Sequence, residues 1–328
     1  MKNILIVGGC GYIGGHLTDI LSADKNIHVT VYDNLMYESR FFKDVNFIRG
    51  DVRDTKKLNL IINKYDIVIW LAAIVGDGAC NVNDKLTKEV NDDAVEWLAK
   101  NYTGKIIFMS TCSVYGANND LIDESAEFNP LSSYARSKIY AEKIIQKKSN
   151  NFVIFRLGTL FGAGDNYSRP RLDLVVNILT KRATEGKTLN VFGGEQWRPL
   201  LHVKDVGNAI KFCIDNNIDG LYNVSMKNYT IADLAKIINK LIPSSKINFK
   251  DIPFEDFRNY KVKTEKFSDL GWNPKYNLEQ GILEMQSIIS EKRIVAPEDD
   301  IYSNAKYVGS NENKWDDDGY SNYTNSQS

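Results

Sequence analysis

The chain has 328 residues, of which 43% are hydrophobic and 25% charged, an ordinary composition for a globular protein that buries a sizeable core. Its formal net charge of −1 gives no reason to expect binding to nucleic acid or to an anionic membrane, and no apolar run reaches the roughly 20 residues that span a bilayer. The four cysteines are scattered, so we expect reduced thiols, no metal site and a cytoplasmic location.

The first half of the chain alternates short apolar runs with segments of helical spacing. Strands are predicted at 3–7, 28–32, 45–48, 67–71, 105–109 and 152–157. Helices are predicted between them at 12–21, 55–63, 84–100 and 134–147. Several strands are almost entirely apolar, as in a parallel sheet covered on both faces. Repeated β-α units with right-handed crossovers predict an α/β fold with a doubly wound parallel sheet, a Rossmann fold.

After about residue 165 the alternation fades. A helix-like stretch begins at 169–177, a strand is predicted at 189–192, and a strand-helix pattern at 202–215 could rejoin the large sheet. A further amphipathic helix is predicted at 231–241, with Thr230 as its cap. We therefore expect a dinucleotide-binding domain of residues 1–166 and 199–224, and a smaller, discontinuous substrate lobe of residues 167–198 and 225–292.

Residues 293–328 form a polar, acidic tail rich in Asp, Asn, Ser and Tyr. Such a composition favours a solvated or disordered segment over a functional arm. Aromatic side chains in the tail could still dock on a neighbouring surface; they are Tyr302, Tyr307, Trp315, Tyr320 and Tyr323.

A glycine-rich loop, Gly8-Gly-Cys-Gly-Tyr-Ile-Gly14, lies between the first predicted strand and the first predicted helix. Glycine permits the tight turn, and a diphosphate approaches the backbone closely only where no Cβ intervenes. The N-terminus of the following helix offers free N–H groups and a positive dipole end. The loop therefore predicts a dinucleotide site with contacts from Gly8, Gly11, Tyr12, Ile13 and Gly14.

Asp33 ends the second predicted strand, about 20 residues after the loop, where the dinucleotide fingerprint places an acid. Its carboxylate would accept hydrogen bonds from ribose hydroxyls and repel the extra phosphate of NADP. The next residue is Asn34 rather than an arginine, so NAD is the favoured cofactor. Further cofactor contacts are expected where the third and fourth strands end, at Asp51, Val52, Leu71, Ala72 and Ala73. Ordinary close packing would also explain the two alanines.

Tyr134 and Lys138 are spaced to share one face of a predicted helix. A tyrosine that takes a proton from a hydroxyl needs a pKa below its ordinary value of about 10, and a nearby lysine charge favours the phenolate. Alone, this spacing is typical of a solvated surface pair. It gains weight from the strand end at 110–116, Ser-Thr-Cys-Ser-Val-Tyr-Gly, which could place a hydroxyl beside the reacting oxygen.

With these motifs, residues 1–290 resemble the extended short-chain dehydrogenase/reductases of the NAD-dependent nucleotide-sugar epimerase and dehydratase family. The resemblance implies a triad in which Tyr134 is the base, Lys138 holds the nicotinamide ribose and lowers the tyrosine pKa, and Thr111 orients the reacting hydroxyl. It also implies two arginines on the substrate diphosphate, Arg198 and Arg258. The residue after Arg198 is Pro199, where the family has aspartate.

Other substrate contacts are less specific. Arg169 and Arg171 could touch phosphate or hydroxyls, or form salt bridges at a helix start. Ser133 could bind a sugar hydroxyl, although helix capping explains the serines at 132 and 133 as well.

Residues 112 and 113 separate the reactions of the family that the chain resembles. Its dehydratases carry Asp-Glu here, and its decarboxylating members a glutamate at the second position, whereas this chain has Cys112 and Ser113. Cys112 is also one residue too early to match the cysteine of 3,5-epimerases, and we expect it in the core. What remains is C4 oxidation of a nucleotide-diphospho-sugar, most simply by a 4-epimerase.

Two alternatives stay open. The segments 74–80 and 169–174 are similar to a bacterial subgroup that includes GDP-heptose 4-dehydrogenases. This similarity implies, as the first alternative, a 4-dehydrogenase that releases the 4-keto sugar. A non-catalytic protein that senses NAD is a remote one, because Tyr134 and Lys138 are both retained. The family resemblance also implies a homodimer, with helices 84–100 and 134–147 at its interface.

Overall fold

The computed structural model describes residues 1–250 and 258–311. Within these residues the strands are β1 (Lys2–Val7), β2 (Ile27–Asp33), β3 (Asn46–Arg49), β4 (Ile67–Trp70), β5 (Lys105–Thr111), β6 (Ala117–Ile122), β7 (Phe152–Leu157), β8 (Thr159–Phe161), β9 (Leu189–Phe192), β10 (Trp197–His202), β11 (Gly220–Val224), β12 (Lys227–Thr230), β13 (Ile247–Lys250) and β14 (Asn259–Val262). The largest element is a seven-stranded parallel sheet with the order β3-β2-β1-β4-β5-β7-β11.

Helices cover both faces of the large sheet and build the second lobe. They are α1 (Tyr12–Ser22), α2 (Thr55–Ile61), α3 (Asp77–Val82), α4 (Asp84–Thr87), α5 (Ala94–Asn101), α6 (Ser133–Lys148), α7 (Val175–Thr184), α8 (Val203–Asp215), α9 (Ile231–Leu241), α10 (Glu265–Ser268), α11 (Leu278–Ser290) and α12 (Asn304–Ser310). Single 3₁₀ turns lie at Ile62–Lys64, Cys112–Tyr115 and Asp300–Tyr302, and a π-helical turn at Lys88–Asp93. None of the described helices is long and apolar enough to cross a membrane.

The strand order reverses at β1, which pairs in parallel with β2 on one side and with β4 on the other. In doubly wound sheets the carboxyl ends of two such strands splay apart and leave a crevice for a ligand. Val7 lies opposite both Tyr32 and Trp70, so the glycine loop leaves the sheet at this crevice. The predicted doubly wound α/β fold is therefore confirmed, and its topology places the predicted cofactor residues together.

Smaller sheets form the rest of the substrate side. A three-stranded sheet has the order β12-β10-β8, and two parallel pairs join β13 to β9 and β14 to β6. The strand at 197–202 belongs to the three-stranded sheet, and the large sheet is rejoined only at β11. The predicted domain boundaries stay a prediction, but β8, β10 and β12 sit beside the carboxyl ends of the large sheet through chain continuity with β7 and β11.

Three predictions made from sequence differ from the structure. The segment at 169–177 becomes helical only at Val175, and the N–H of Leu172 before it is donated to the Tyr302 carbonyl, 3.0 Å away. The predicted helix at 84–100 is interrupted by the π-helical turn. Residues 300–310 of the tail are ordered against the body of the protein, with Val308 fully buried; the remaining tail aromatics, Trp315, Tyr320 and Tyr323, lie outside the described residues.

A buried ion pair joins α6 to the sheet. Glu142 is fully buried and accepts hydrogen bonds from the guanidinium of Arg156 on β7, the shorter at 2.7 Å. Ser110 on β5 donates to the same carboxylate, and Arg156 also donates to the Tyr115 hydroxyl at 2.8 Å. Every member of this network is hydrogen-bonded, which is what makes a buried charge pair tolerable.

We expect Glu142→Ala to lower the free energy of unfolding by about 3–5 kcal/mol, because it leaves the Arg156 charge buried without its partner. Denaturant unfolding followed by circular dichroism measures the change. The matched control is Glu96→Ala, whose carboxylate binds Lys100 and Tyr140 at the surface and whose loss should change stability little. Equal effects of the two substitutions would contradict a special role for the buried pair.

Candidate functional site

One cavity opens at the carboxyl ends of β1, β2 and β4, over the start of α1. It is lined by every cofactor contact predicted from the glycine loop and the strand ends, namely Gly8, Gly11, Tyr12, Ile13, Gly14, Asp33, Asn34, Asp51, Val52, Leu71, Ala72 and Ala73. The structure thus brings these residues together around one space.

The glycine loop has the shape that a close ligand approach requires. Gly8 has a φ of +84°, and a Cβ there would lie 2.5 Å from the backbone nitrogen of Ala72. At Gly11 a Cβ would meet only the Gly8 carbonyl at 3.6 Å, so its position on the cavity wall is open. The residues present therefore fit a dinucleotide whose diphosphate lies over the loop and the N-terminus of α1.

Asp33 closes the loop from the β2 side. Its carboxylate accepts from the backbone N–H of Cys10 at 3.0 Å and of Leu35 at 2.7 Å. Burial raises the pKa of this carboxyl, while those backbone donors oppose the rise. Asp51 is fixed by Asn34 at 3.0 Å and by Arg53 at 3.0 Å. Both acids line the adenosine end of the predicted site.

Thr111, Tyr134 and Lys138, the predicted triad, lie on two neighbouring elements. Thr111 ends β5, and its hydroxyl oxygen accepts from the N–H of Ser113 at 3.1 Å, capping the 3₁₀ turn. Tyr134 and Lys138 are one turn apart at the start of α6, which packs on β5. The Lys138 Nζ lies 5.8 Å from the centre of the Tyr134 ring and 4.7 Å from that of Phe108.

The electrostatics of the pair come mainly from burial. Lys138 is only 5% exposed, and burial lowers the pKa of its ammonium group to about 8. Burial also raises the pKa of Tyr134, helped by the negative charge of Asp77, whereas the Arg171 guanidinium opposes that rise. Burial therefore outweighs the lowering of the Tyr134 pKa that was predicted from the Lys138 charge.

Arg198 and Arg258, the predicted diphosphate ligands, are adjacent. Arg198 is buried on β10 and donates to the carbonyl of Arg258 at 2.5 Å. The Arg258 guanidinium forms an ion pair with Asp77 at 3.1 Å, which ties it to the start of α3. The structure thus brings the Arg198 side chain against the backbone of Arg258, whose own side chain reaches the start of α3.

Arg169 and Arg171 line the same cavity as the glycine loop rather than the Arg198 side. Arg171 pairs with Asp173 at 2.7 Å, and the Arg169 guanidinium lies 4.1 Å from the centre of the Tyr37 ring. Ser133 binds Asn81 at 2.7 Å, while its neighbour Ser132 caps α6.

Two buried asparagines were not identified from sequence. Asn91, in the π-helical turn, accepts from the N–H of Ile74 at 2.8 Å and donates to Ser137 on α6 at 3.3 Å. It thereby connects the loop after β4 to α6, the helix of Tyr134. The sequence signal for this role was a polar residue within a stretch of apolar helical spacing. Asn304, in the tail, lines the cavity and gave no local signal at all.

The surroundings of Cys112 and Ser113 do not favour an acid-base role for either residue. Cys112 is fully buried, and its thiol contacts the carbonyl of Arg156 at 3.2 Å, as expected for a core residue. The Ser113 hydroxyl lies 3.1 Å from that of Tyr260. His202 is also buried, within 3.2 Å of Glu284 and stacked on Tyr276, which is a structural environment.

Comparison with known proteins gives concordant matches. The model of the NAD dependent epimerase/dehydratase family matches residues 4–225. The chain is 29% identical over 256 residues to the N-acetyl-alpha-D-glucosaminyl-diphospho-ditrans,octacis-undecaprenol 4-epimerase of Escherichia coli O157:H7, covering 74% of each protein. It is 28% identical over 355 residues to the dTDP-D-glucose 4,6-dehydratase of Dictyostelium discoideum, covering 86% of this chain and 80% of that protein.

A solved structure shares the architecture. The UDP-glucuronic acid 4-epimerase from Bacillus cereus, in complex with UDP-glucuronic acid and NAD, is 26% identical to this chain. It superposes with a TM-score of 0.75 and covers 88% of this chain and 99% of that one.

We expect Gly11→Val to weaken NAD binding at least tenfold without a loss of thermal stability, because the new side chain enters the cavity and its Cβ meets only the Gly8 carbonyl, at 3.6 Å. Titration calorimetry and thermal melting measure the two quantities. Ala23→Val, at the exposed far end of the same helix, is the control and should bind NAD normally. A Gly11→Val variant with normal NAD affinity would place the diphosphate elsewhere.

Proposed function

Because the chain belongs to the NAD-dependent epimerase/dehydratase family and its cofactor is accordingly NAD, we propose that it oxidises the C4 hydroxyl of a nucleotide-diphospho-sugar and acts as a 4-epimerase. One observation carries the proposal: Tyr134 and the buried Lys138 lie one turn apart at the start of α6, where Tyr134 packs against the core cluster that includes Ile74 and Val90 of the cavity wall. Positions 112 and 113 hold cysteine and serine, neither of which is a stronger acid or base.

The proposed chemistry is divided among the chain's own residues. Tyr134 takes the proton of the C4 hydroxyl, and Thr111 at the end of β5 orients that hydroxyl. Lys138 holds the cofactor ribose, and its charge favours the phenolate of Tyr134 once the site is filled. NAD supplies the hydride acceptor and a positively charged ring that adds to this effect.

Arg198 and Arg258 would bind the substrate diphosphate. Guanidinium groups bind phosphate oxygens bidentately, and two of them side by side match a diphosphate. Arg258 is already paired with Asp77, so its charge is held in position before the substrate arrives. Ser133, at the start of α6, would contact the sugar in place of its present partner Asn81.

The environment of residues 112 and 113 disfavours dehydration. Elimination of water from a 4-keto sugar needs an acid and a base next to the sugar. The Cys112 thiol is directed to the Arg156 carbonyl inside the core, and burial raises its pKa, so it supplies neither group. Ser113 has a hydroxyl whose partner is the Tyr260 phenol.

A 4-dehydrogenase is the second candidate. The segments 74–80 and 169–174, which are similar to GDP-heptose 4-dehydrogenases, are bridged by Asn304, which donates to Val75 at 2.8 Å and to Asp173 at 2.9 Å. This contact makes the two segments one unit on the cofactor cavity.

Two further predictions are not tested by the structure. They are a homodimer through the helices at 84–100 and 134–147, and a cytoplasmic location.

The deciding experiment incubates the protein and NAD with a panel of UDP-, GDP- and dTDP-sugars and separates the products by isomer-resolving liquid chromatography and mass spectrometry. An isomer of unchanged mass identifies a 4-epimerase. Loss of two hydrogens with accumulation of NADH identifies a 4-dehydrogenase. Loss of water would contradict our interpretation of Cys112 and Ser113.

We expect Tyr134→Phe to lower kcat by about 10²–10⁴-fold with little change in NAD affinity, because it removes the proton acceptor but keeps the ring. Steady-state kinetics on whichever sugar turns over measures the loss. Tyr140→Phe is the matched control on the same helix, since its hydroxyl only binds Glu96 at the surface. Turnover that survives in Tyr134→Phe would remove this residue from the mechanism.

NAD affinity should fall as the pH rises through about 8, because Lys138 then loses the charge with which it donates to the ribose. The protonated form predominates below that pKa, so the affinity is highest on the acid side. In Lys138→Met the affinity should be lower, and the fall centred near pH 8 should be absent. The Glu38 carboxyl on the cavity wall, whose pKa burial raises to about 7, should contribute equally in both proteins. Calorimetric titration of NAD between pH 6.5 and about 9 tests this, and a flat wild-type profile would contradict it.

A further inference from the structure

The tail segment 300–310 packs beside the cofactor cavity. Its helix α12 lies against α3, and Val308 is buried in the same core cluster as the residues of β1 and β4. The Tyr307 hydroxyl donates to the carbonyl of Met36 at 2.8 Å, and its ring lies 5.3 Å from that of Tyr37. The segment is therefore attached to the loops that follow β2 and β4.

Asn304 is the residue of this segment that reaches the cavity wall. It is 4% exposed, and all its polar groups are used. The backbone N–H donates to Asp173, the amide nitrogen donates to Val75, and the amide oxygen accepts from the Arg169 guanidinium. Arg169 donates a further hydrogen bond, of 2.6 Å, to the carbonyl of Ile301.

These contacts hold two cations on the cavity wall. Arg169 is fixed directly by the segment, and Arg171 is fixed through Asp173, whose other oxygen accepts from Asn304. Burial lowers the pKa of Arg169 to about 10, and the like charge of Arg171, which lines the same cavity, adds to that effect. The guanidinium of Arg169 is hydrogen-bonded to neutral oxygens, and Glu38 accepts from its backbone N–H.

We propose that residues 300–310 are a positioning element for a diphosphate site, in which Asn304 holds Arg169 and Arg171 towards the cavity. Arg171 has the Asp173 carboxylate as its partner, whereas the buried Arg169 guanidinium is hydrogen-bonded to neutral oxygens. A diphosphate on the cavity side offers charged oxygens to these guanidinium groups. The cavity they share with Gly8 and Gly11 points to the cofactor, and the sugar nucleotide carries the same group. The inference rests on the proposed function only in taking the ligand to be a dinucleotide or a sugar nucleotide, each of which carries a diphosphate.

Asn304→Ala tests this in the full chain by binding alone. Titration calorimetry measures NAD, adenosine as the matched ligand without phosphates, and UDP, GDP and dTDP in the presence of saturating NAD. We expect the NAD dissociation constant to rise about tenfold, or about 1.4 kcal/mol, with adenosine unchanged. A rise for a nucleoside diphosphate with NAD unchanged would also support the site and assign it to the substrate.

The controls separate positioning from general disruption. Lys306→Ala, on the exposed face of the same helix, should leave every affinity unchanged. Asn304→Asp keeps the shape and places a carboxylate on Arg169, so it should weaken diphosphate binding even if the alanine variant folds poorly. Equal losses for NAD and adenosine, or unchanged affinities in both Asn304 variants, would overturn the proposal. These outcomes do not depend on which sugar turns over.

Discussion

The buried ion pair between Glu142 and Arg156 is the interaction on which the site depends. Glu142 lies one turn after Lys138 on α6, and Arg156 lies on β7, the strand beside β5. The pair therefore fixes the rotation of α6 about its axis and its distance from the sheet. Because Tyr134 and Lys138 sit on that helix and Thr111 ends β5, the geometry of the predicted triad follows from a charge pair that never meets the substrate.

Burial gives the site its electrostatic character. Burial lowers the pKa of Lys138 and raises that of Tyr134, so both groups are shifted towards their neutral forms, although Lys138 stays mainly protonated below pH 8. A positively charged cofactor ring near the phenol would shift Tyr134 towards the phenolate. In the proposed mechanism this coupling would make the base active only where a hydride acceptor is present.

Much of the fold and the cofactor site could be predicted because both rest on local signals. The apolar runs before Gly8 and Asp33 specify buried parallel strands, and the glycine spacing specifies a turn whose backbone must approach a ligand. Asn91 and Asn304 had no such signal. Each acts by satisfying backbone groups of a distant loop, and sequence spacing carries no information about which loop that is.

Composition favoured a disordered tail, whereas residues 300–310 are ordered, and their contacts show why. Low hydropathy argues against a packed core, but an irregular loop also needs partners for its exposed N–H and C=O groups, and polar residues supply these better than aliphatic ones. Asn304 satisfies the carbonyl of Val75, and the Tyr302 carbonyl satisfies the N–H of Leu172, so both loops gain a fixed shape from a polar segment. Within the segment, Val308 is fully buried and Asn304 almost so, which anchors one apolar and one polar side chain. Order in residues 300–310 thus comes from completing the cavity wall, which explains why the cations on that wall and the segment that holds them form one structural unit.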